Sequence, residues 1–102
     1  MASPYTAHIT SSNTTHAARC SAGPMSFRSA TFVAVKSFDG SGRGVANADV
    51  VHIGMGEDKL PFACISGREI TISAPAGVSY DLREIWFLPT VAADGLAILV
   101  TA

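Results

Sequence analysis

Ala30–Phe38, ATFVAVKSF, runs directly into Asp39-Gly40-Ser41-Gly42-Arg43-Gly44, and this junction decides the class of fold. β-branched and aromatic side chains suit a pleated, half-buried surface, and the glycine-rich run ends it in a turn. Downstream the same grammar repeats. Asp49–Gly54 (DVVHIG) is a second candidate strand, and Leu60–Ile65 a third, interrupted by Pro61. Glu69–Ala74 (EITISA) alternates, with Ile70, Ile72 and Ala74 on one side and Thr71 and Ser73 on the other. Glu84–Leu88 (EIWFL) and Leu96–Thr101 (LAILVT) complete the set. Turn signals separate them at Gly54–Gly56, Ser66-Gly67, Pro75-Ala76-Gly77 and Ala93-Asp94-Gly95. No helical pattern of about 10–15 residues lies between strands, which excludes a parallel βαβ sheet. Residues 29–102 are therefore expected to form an all-β body, a small antiparallel β-sandwich or jelly-roll-like barrel.

Upstream the character changes. Ser3, Thr6, Thr10, Ser11, Ser12, Thr14, Thr15 and Ser21 crowd residues 1–28 with no sustained period of two or 3.6. The reading is an extended N-terminal arm, with one helical turn across Thr15–Ala22 capped by Thr14 or Thr15 and stopped by Gly23-Pro24. Met1-Ala2-Ser3-Pro4-Tyr5 lacks the basic and apolar regions of a signal peptide, so secretion by that route is not expected. Asn13-Thr14-Thr15 matches a glycosylation sequon, relevant only in a secreted eukaryotic protein.

The 102 residues suffice for one domain, and 48% apolar against 15% charged residues fits a packed core. No apolar run approaches the ~20 residues that span a bilayer. The formal charge of -1 conceals an asymmetry: Arg19, Arg28 and Lys36 precede any acid, and from Asp39 onward eight acids face four bases. Three scattered cations are too few for a nucleic-acid footprint, but they favour an arm lying on an acidic protein surface. A body this small gains stability by associating, so oligomerisation is the default expectation.

Gly40–Gly44 lacks both the dinucleotide and the Walker spacing and opens into a strand, so it reads as a hairpin loop and not a phosphate cradle. His8, His16, His52, Cys20 and Cys64 include only one pair at ligand spacing, His16 and Cys20, so no metal or other cofactor is expected. Two cysteines fit a reduced protein, with Cys20 a free thiol near a flexible segment and Cys64 a half-buried apolar residue. Cys64 and Ser66 have no nucleophile-elbow motif around them, and Asp39, Asp49, Asp58, Asp81 and Asp94 all lie in or beside turns, where Asp caps its own backbone. An enzyme is not expected. Phe32, Phe38, Phe62, Trp86 and Phe87 all fall in strands. Adjacent Trp86 and Phe87 must point to opposite faces. One then meets the core, and the other is free for a partner contact or a sugar platform.

Four motifs recur in order: Val50-Val51-His52-Ile53-Gly54 with Pro61 beyond it; Gly67-Arg68-Glu69-Ile70-Thr71-Ile72; Tyr80-Asp81-Leu82-Arg83-Glu84-Ile85-Trp86; and Ala93-Asp94-Gly95-Leu96-Ala97-Ile98-Leu99-Val100. Over about residues 47–102 this order resembles small β-sandwich virion proteins of tailed bacteriophages, of the head-decoration (cement) type. The resemblance implies a structural role: a homotrimer on the outer surface of the capsid that clamps neighbouring major capsid subunits, with no nucleic acid and no membrane as partner. A tail, neck or head-fibre part, or a carbohydrate- or surface-binding module, is the alternative. Within the motifs, Gly54 and Gly67 would let the chain turn tightly, and Asp81 would cap the turn feeding Leu82 and Ile85 into the core. The candidate partner contacts are Pro4, Tyr5, His8, Arg19 and Arg28 of the arm and Trp86 of the body.

Overall fold

The computed structural model describes residues 5–21, 23–66 and 68–101. Its strands in chain order are β1 (Tyr5–Thr10), β2 (Ala18–Arg19), β3 (Ser26–Phe27), β4 (Ser29–Phe38), β5 (Gly44–Ala46) and β6 (Val51–Gly54). Then follow β7 (Phe62–Cys64), β8 (Glu69–Ser73), β9 (Tyr80–Asp81), one 3₁₀ turn (Leu82–Glu84), β10 (Trp86–Pro89) and β11 (Gly95–Thr101). Every pairing is antiparallel. The first sheet runs β1-β11-β4, and the far side of β4 carries β5 at one end and β8 at the other. The second sheet runs β2-β10-β6-β7, and β3 with β9 forms a two-stranded corner. No helix among the described residues is long and apolar enough to cross a membrane.

The strand period of two places the core. Ala30, Phe32 and Ala34 of β4, and Leu96, Ile98 and Val100 of β11, are buried, while their strand neighbours face outward. Val51, Ile53, Cys64 and Phe87 of the second sheet join them in one cluster, which gives a sandwich-like, all-β architecture. Complete burial of Phe32 alone contributes about 1.5–3 kcal/mol. Phe38 and Phe62 are not in this core: they are 50% and 48% exposed.

The expectation of a separate arm over residues 1–28 does not hold for its described part. β1 pairs along its whole length with β11, from Tyr5 opposite Val100 to Thr10 opposite Gly95. β2 pairs with β10 and β3 with β9, and Cys20 and Phe27 are core residues. The overlooked signal was the alternation in β1, where Ala7 and Ile9 share a face and His8 and Thr10 take the other. Among the described residues of Thr15–Ala22 the anticipated helical turn is absent too. Asn13 accepts from the N–H groups of Thr15 and His16, both at 3.0 Å, in a side-chain-closed turn, and the chain then enters β2.

One motif residue acts as anticipated, and a second works differently. Asp81 caps the 3₁₀ turn, accepting from Arg83 N–H at 2.9 Å, and Leu82 and Ile85 are buried behind it. The same carboxylate oxygen accepts from Met25 N–H at 3.0 Å, tying β3 to this corner. Those two backbone donors, with a smaller contribution from the Arg83 and Arg19 charges, hold the Asp81 carboxyl below its ordinary value. Gly54 does not serve a tight turn, since its φ is not positive. It is needed because Lys59 and Leu60 pass directly over it. Gly67 and Pro4 lie outside the described residues.

Candidate functional site

Trp86 lies on the outer face of the second sheet, opposite Gly54 on one side and Arg19 on the other. Its strand neighbour Phe87 is 2% exposed, so the two rings do take opposite faces. The Arg19 guanidinium stacks over the indole, 4.5 Å from the ring centroid. It is held there by a second contact, Nη1 donating to the Arg83 carbonyl at 3.1 Å. Arg83 in turn sits 3.8 Å from Asp81. A flat aromatic ring, a fixed guanidinium and a neighbouring cation thus form one half-exposed patch. Exposure lowers the net value of the Arg–Trp contact to about 0.5–1 kcal/mol, so its importance is geometric: both side chains are ordered before any partner arrives. Leu88 stands on the same face and borders a notch of about 470 Å³ lined by Thr15, His16, Ala17, Glu57 and Asp58.

The other candidate contacts do not join this patch. Arg28 lies between β3 and β4, its N–H bonded to the Thr101 carbonyl and its carbonyl to Ala74 N–H. Tyr5 opens β1 at the far edge of the first sheet. His8 lines a shallow apolar groove of about 550 Å³ on the outer face of that sheet, with Val33, Thr31, Ala97, Leu99, Phe38 and Glu69. Its Nε2 lies 3.1 Å from the Val35 carbonyl, an acceptor, so Nε2 carries the proton. Its ring meets Phe38 edge-on at 5.0 Å. Sequence reasoning passed over this groove. Phe38 was read only as a strand residue, and Leu99 sits in an apolar run whose alternation is hidden by the length of the run.

Cys64 Sγ approaches two carbonyls, Phe32 O at 3.7 Å and Arg68 O at 3.8 Å, so it can only donate to them. Burial pushes its thiol above the ordinary value and pushes that of Cys20 up to about 12. Both cysteines are free and buried, which corrects the expectation that Cys20 belongs to a flexible segment. In the Gly40–Gly44 loop the amides of Ser41 and Arg43 donate to the Asp39 carboxylate at 2.8 and 3.0 Å. A carboxylate already occupies the place an anion would take, and the loop is the β4–β5 hairpin. Among the described residues, no three His, Cys, Asp or Glu side chains converge to hold a metal.

The thiols give a direct test. At pH 8 neither cysteine of the folded protein should react with a disulfide reagent, and both should react in urea. Fast stoichiometric labelling of the native protein would contradict the burial. The accompanying pH dependence has a definite sign. The folded state holds these protons more tightly than the unfolded chain does, so their contribution to stability is complete below the ordinary thiol value of 9.0. It falls as pH rises above that value, towards about 12 for Cys20.

Comparison with known proteins gives no matching family model, no similar curated protein and no similar solved structure.

Proposed function

We propose that this chain is a non-catalytic assembly module of the capsid-decoration type, attached to the outer surface of a bacteriophage head over neighbouring major capsid subunits. The observation that carries a protein-binding role is the Trp86–Arg19 patch. Trp and Arg dominate the residues that anchor protein interfaces, and order before binding lowers the entropy cost of contact. The choice of a capsid as partner rests on the motif order of residues 47–102. Cement attachment needs only modest single contacts, because many copies on a fixed lattice are multivalent.

The same patch weighs against a sugar platform. Stacking a pyranose needs an open ring face, and one face of Trp86 is covered by the Arg19 guanidinium. Clamping by a free arm no longer forms part of the reading, since β1, β2 and β3 are built into the sheets.

Cryo-electron microscopy of purified particles should find many copies over capsid-subunit junctions with the Trp86 face inward. Trp86→Ala and Arg19→Ala should each weaken rebinding to stripped particles by tenfold or more, while the isolated protein stays folded. A few copies at one vertex or along the tail would assign the chain to the neck, tail or fibre class. Glycan binding lost in Trp86→Ala would assign it to the carbohydrate binders. Absence from particles would end the virion reading.

A further inference from the structure

The groove on the first sheet has an order that the strand register makes explicit. His8 is opposite Ala97, Ala97 is opposite Val33, and Val33 is opposite Glu69. These four residues therefore form one row across four strands on the outer face, His8 at one end and Glu69 at the other. Its middle is apolar and small. The adjoining row places Leu99 beside Thr31, whose hydroxyl meets that of Thr71 at 3.0 Å. Leu99 is 47% exposed and Phe38 50%, so the floor and one wall of the groove are apolar surface left in water. The one ion pair among the described residues is Arg83–Asp81, and Glu69 takes part in none there.

We infer that this face pairs with the same face of a second copy of the chain, in a symmetric two-sheet packing. The argument is self-complementarity. A two-fold axis lying between the two faces, parallel to the strands and passing between Ala97 and Val33, turns the row end for end. His8 of each copy then stands opposite Glu69 of the other, and Ala97 stands opposite Val33. Strands ~4.8 Å apart and faces ~10 Å apart give the row the spacing of an ordinary sandwich interior, and four strands are few enough for the twist to preserve the match. The small side chains at the centre let the two faces close, and Leu99 and Phe38 lose water on both copies.

His8 is suited to its end of the row. Nε2–H is engaged by the Val35 carbonyl and the ring rests against Phe38, which leaves Nδ1 as the free nitrogen. In the imidazolium form Nδ1–H is a charge-assisted donor to a carboxylate, and symmetry makes the contact twice. An isologous face closes at two copies, so the pairing differs from the threefold clustering that the resemblance implied. It is also independent of capsid attachment, which was assigned to the opposite sheet.

Sedimentation equilibrium at pH 6 tests the pairing on the intact chain at about 100 µM. A dimer is expected. Leu99→Glu, at an exposed position, should leave only monomer. His8→Glu and Glu69→Arg should each weaken the dimer about tenfold, and the double variant should recover most of that loss. Melting curves of Leu99→Glu and Glu69→Arg, which change no buried residue, should match those of the parent at dilutions where the parent is itself monomeric. A monomer at this concentration, a trimer, a dimer indifferent to Leu99→Glu, or single losses that simply add in the double variant would each overturn the pairing. A monomer that still occupies particles would refute the pairing and leave the capsid reading standing. A dimer absent from particles would do the reverse.

Discussion

Asp94→Ala is expected to lower the unfolding free energy by about 3–5 kcal/mol, a large part of what a domain of this size possesses. Asp94 is 1% exposed, and each carboxylate oxygen accepts a different backbone donor: Oδ1 from Ala48 N–H and Oδ2 from Asp49 N–H, both at 3.0 Å. Beside it, Asn47 bonds Gly95 in both directions, Nδ2 to the Gly95 carbonyl at 2.9 Å and Gly95 N–H to Oδ1 at 3.1 Å. Ser11 completes the knot, its carbonyl accepting from Ala93 N–H at 2.9 Å. Three distant stretches, at residues 11, 47–49 and 93–95, are thus fastened around one carboxylate. Ala93 is held at φ 72°, an unfavourable conformation for a residue with a Cβ, and these bonds offset its cost. Removing the carboxylate leaves two inward-facing donors unpaired and releases that strain. Asp94→Asn keeps one acceptor but turns an NH₂ towards the other amide, so it should lose at least half as much. Urea unfolding, with the midpoint shifted and the slope unchanged, would measure both. A loss under about 1 kcal/mol for Asp94→Ala would show that the knot does not hold the fold together.

That carboxylate also marks where sequence reasoning stops. Ala93-Asp94-Gly95 reads as a turn, and Asp in a turn ordinarily caps its own neighbours. Here it caps residues 45 and 46 positions away, a relation no local pattern can carry. The strands that were legible are those rich in β-branched or aromatic residues and bounded by turn residues: β4, β6, β7, β8, β10 and β11. β1 was illegible because its inward residues include Ala7, too small to stand out among hydroxyl side chains, and because its stability comes from pairing with β11, not from its own composition. β5 was hidden in the glycine-rich hairpin. The opposite orientation of Trp86 and Phe87 follows from strand geometry alone and was legible, whereas the Arg19 stack upon Trp86 was not. It depends on β2 lying beside β10, 67 residues later in the chain, when a flexible arm had been expected. The outer groove likewise required the register of four strands, so only its components were visible in the sequence.

Gly54→Ala should cost about 3 kcal/mol or more, and it should disturb the Trp86 patch before it unfolds the protein. A Cβ at this position would lie 2.1 Å from the Lys59 carbonyl oxygen and 2.7 Å from Leu60 Cα. Both are backbone atoms, so no side chain can rotate aside, and relief requires moving either β6 or the 59–60 segment. The segment is pinned at Lys59 by its N–H bond to the Gly56 carbonyl, and β6 is pinned on both sides, by β7 and β10. Gly54 pairs with Trp86 across the β6–β10 ladder, so displacement of β6 carries the indole with it and alters its seat beneath Arg19. The expected signature is a change in tryptophan fluorescence and near-ultraviolet dichroism under native conditions, together with a lower denaturation midpoint. Gly40→Ala is the control: its added Cβ meets nothing within 4 Å, so stability should hold to within ~0.5 kcal/mol. Gly77→Ala should fall between them at about 1 kcal/mol, since it has room but sits at φ +80°. A Gly54→Ala protein as stable as the Gly40→Ala control would mean that the 59–60 segment yields freely, and the rigid placement of Trp86 would then need another cause.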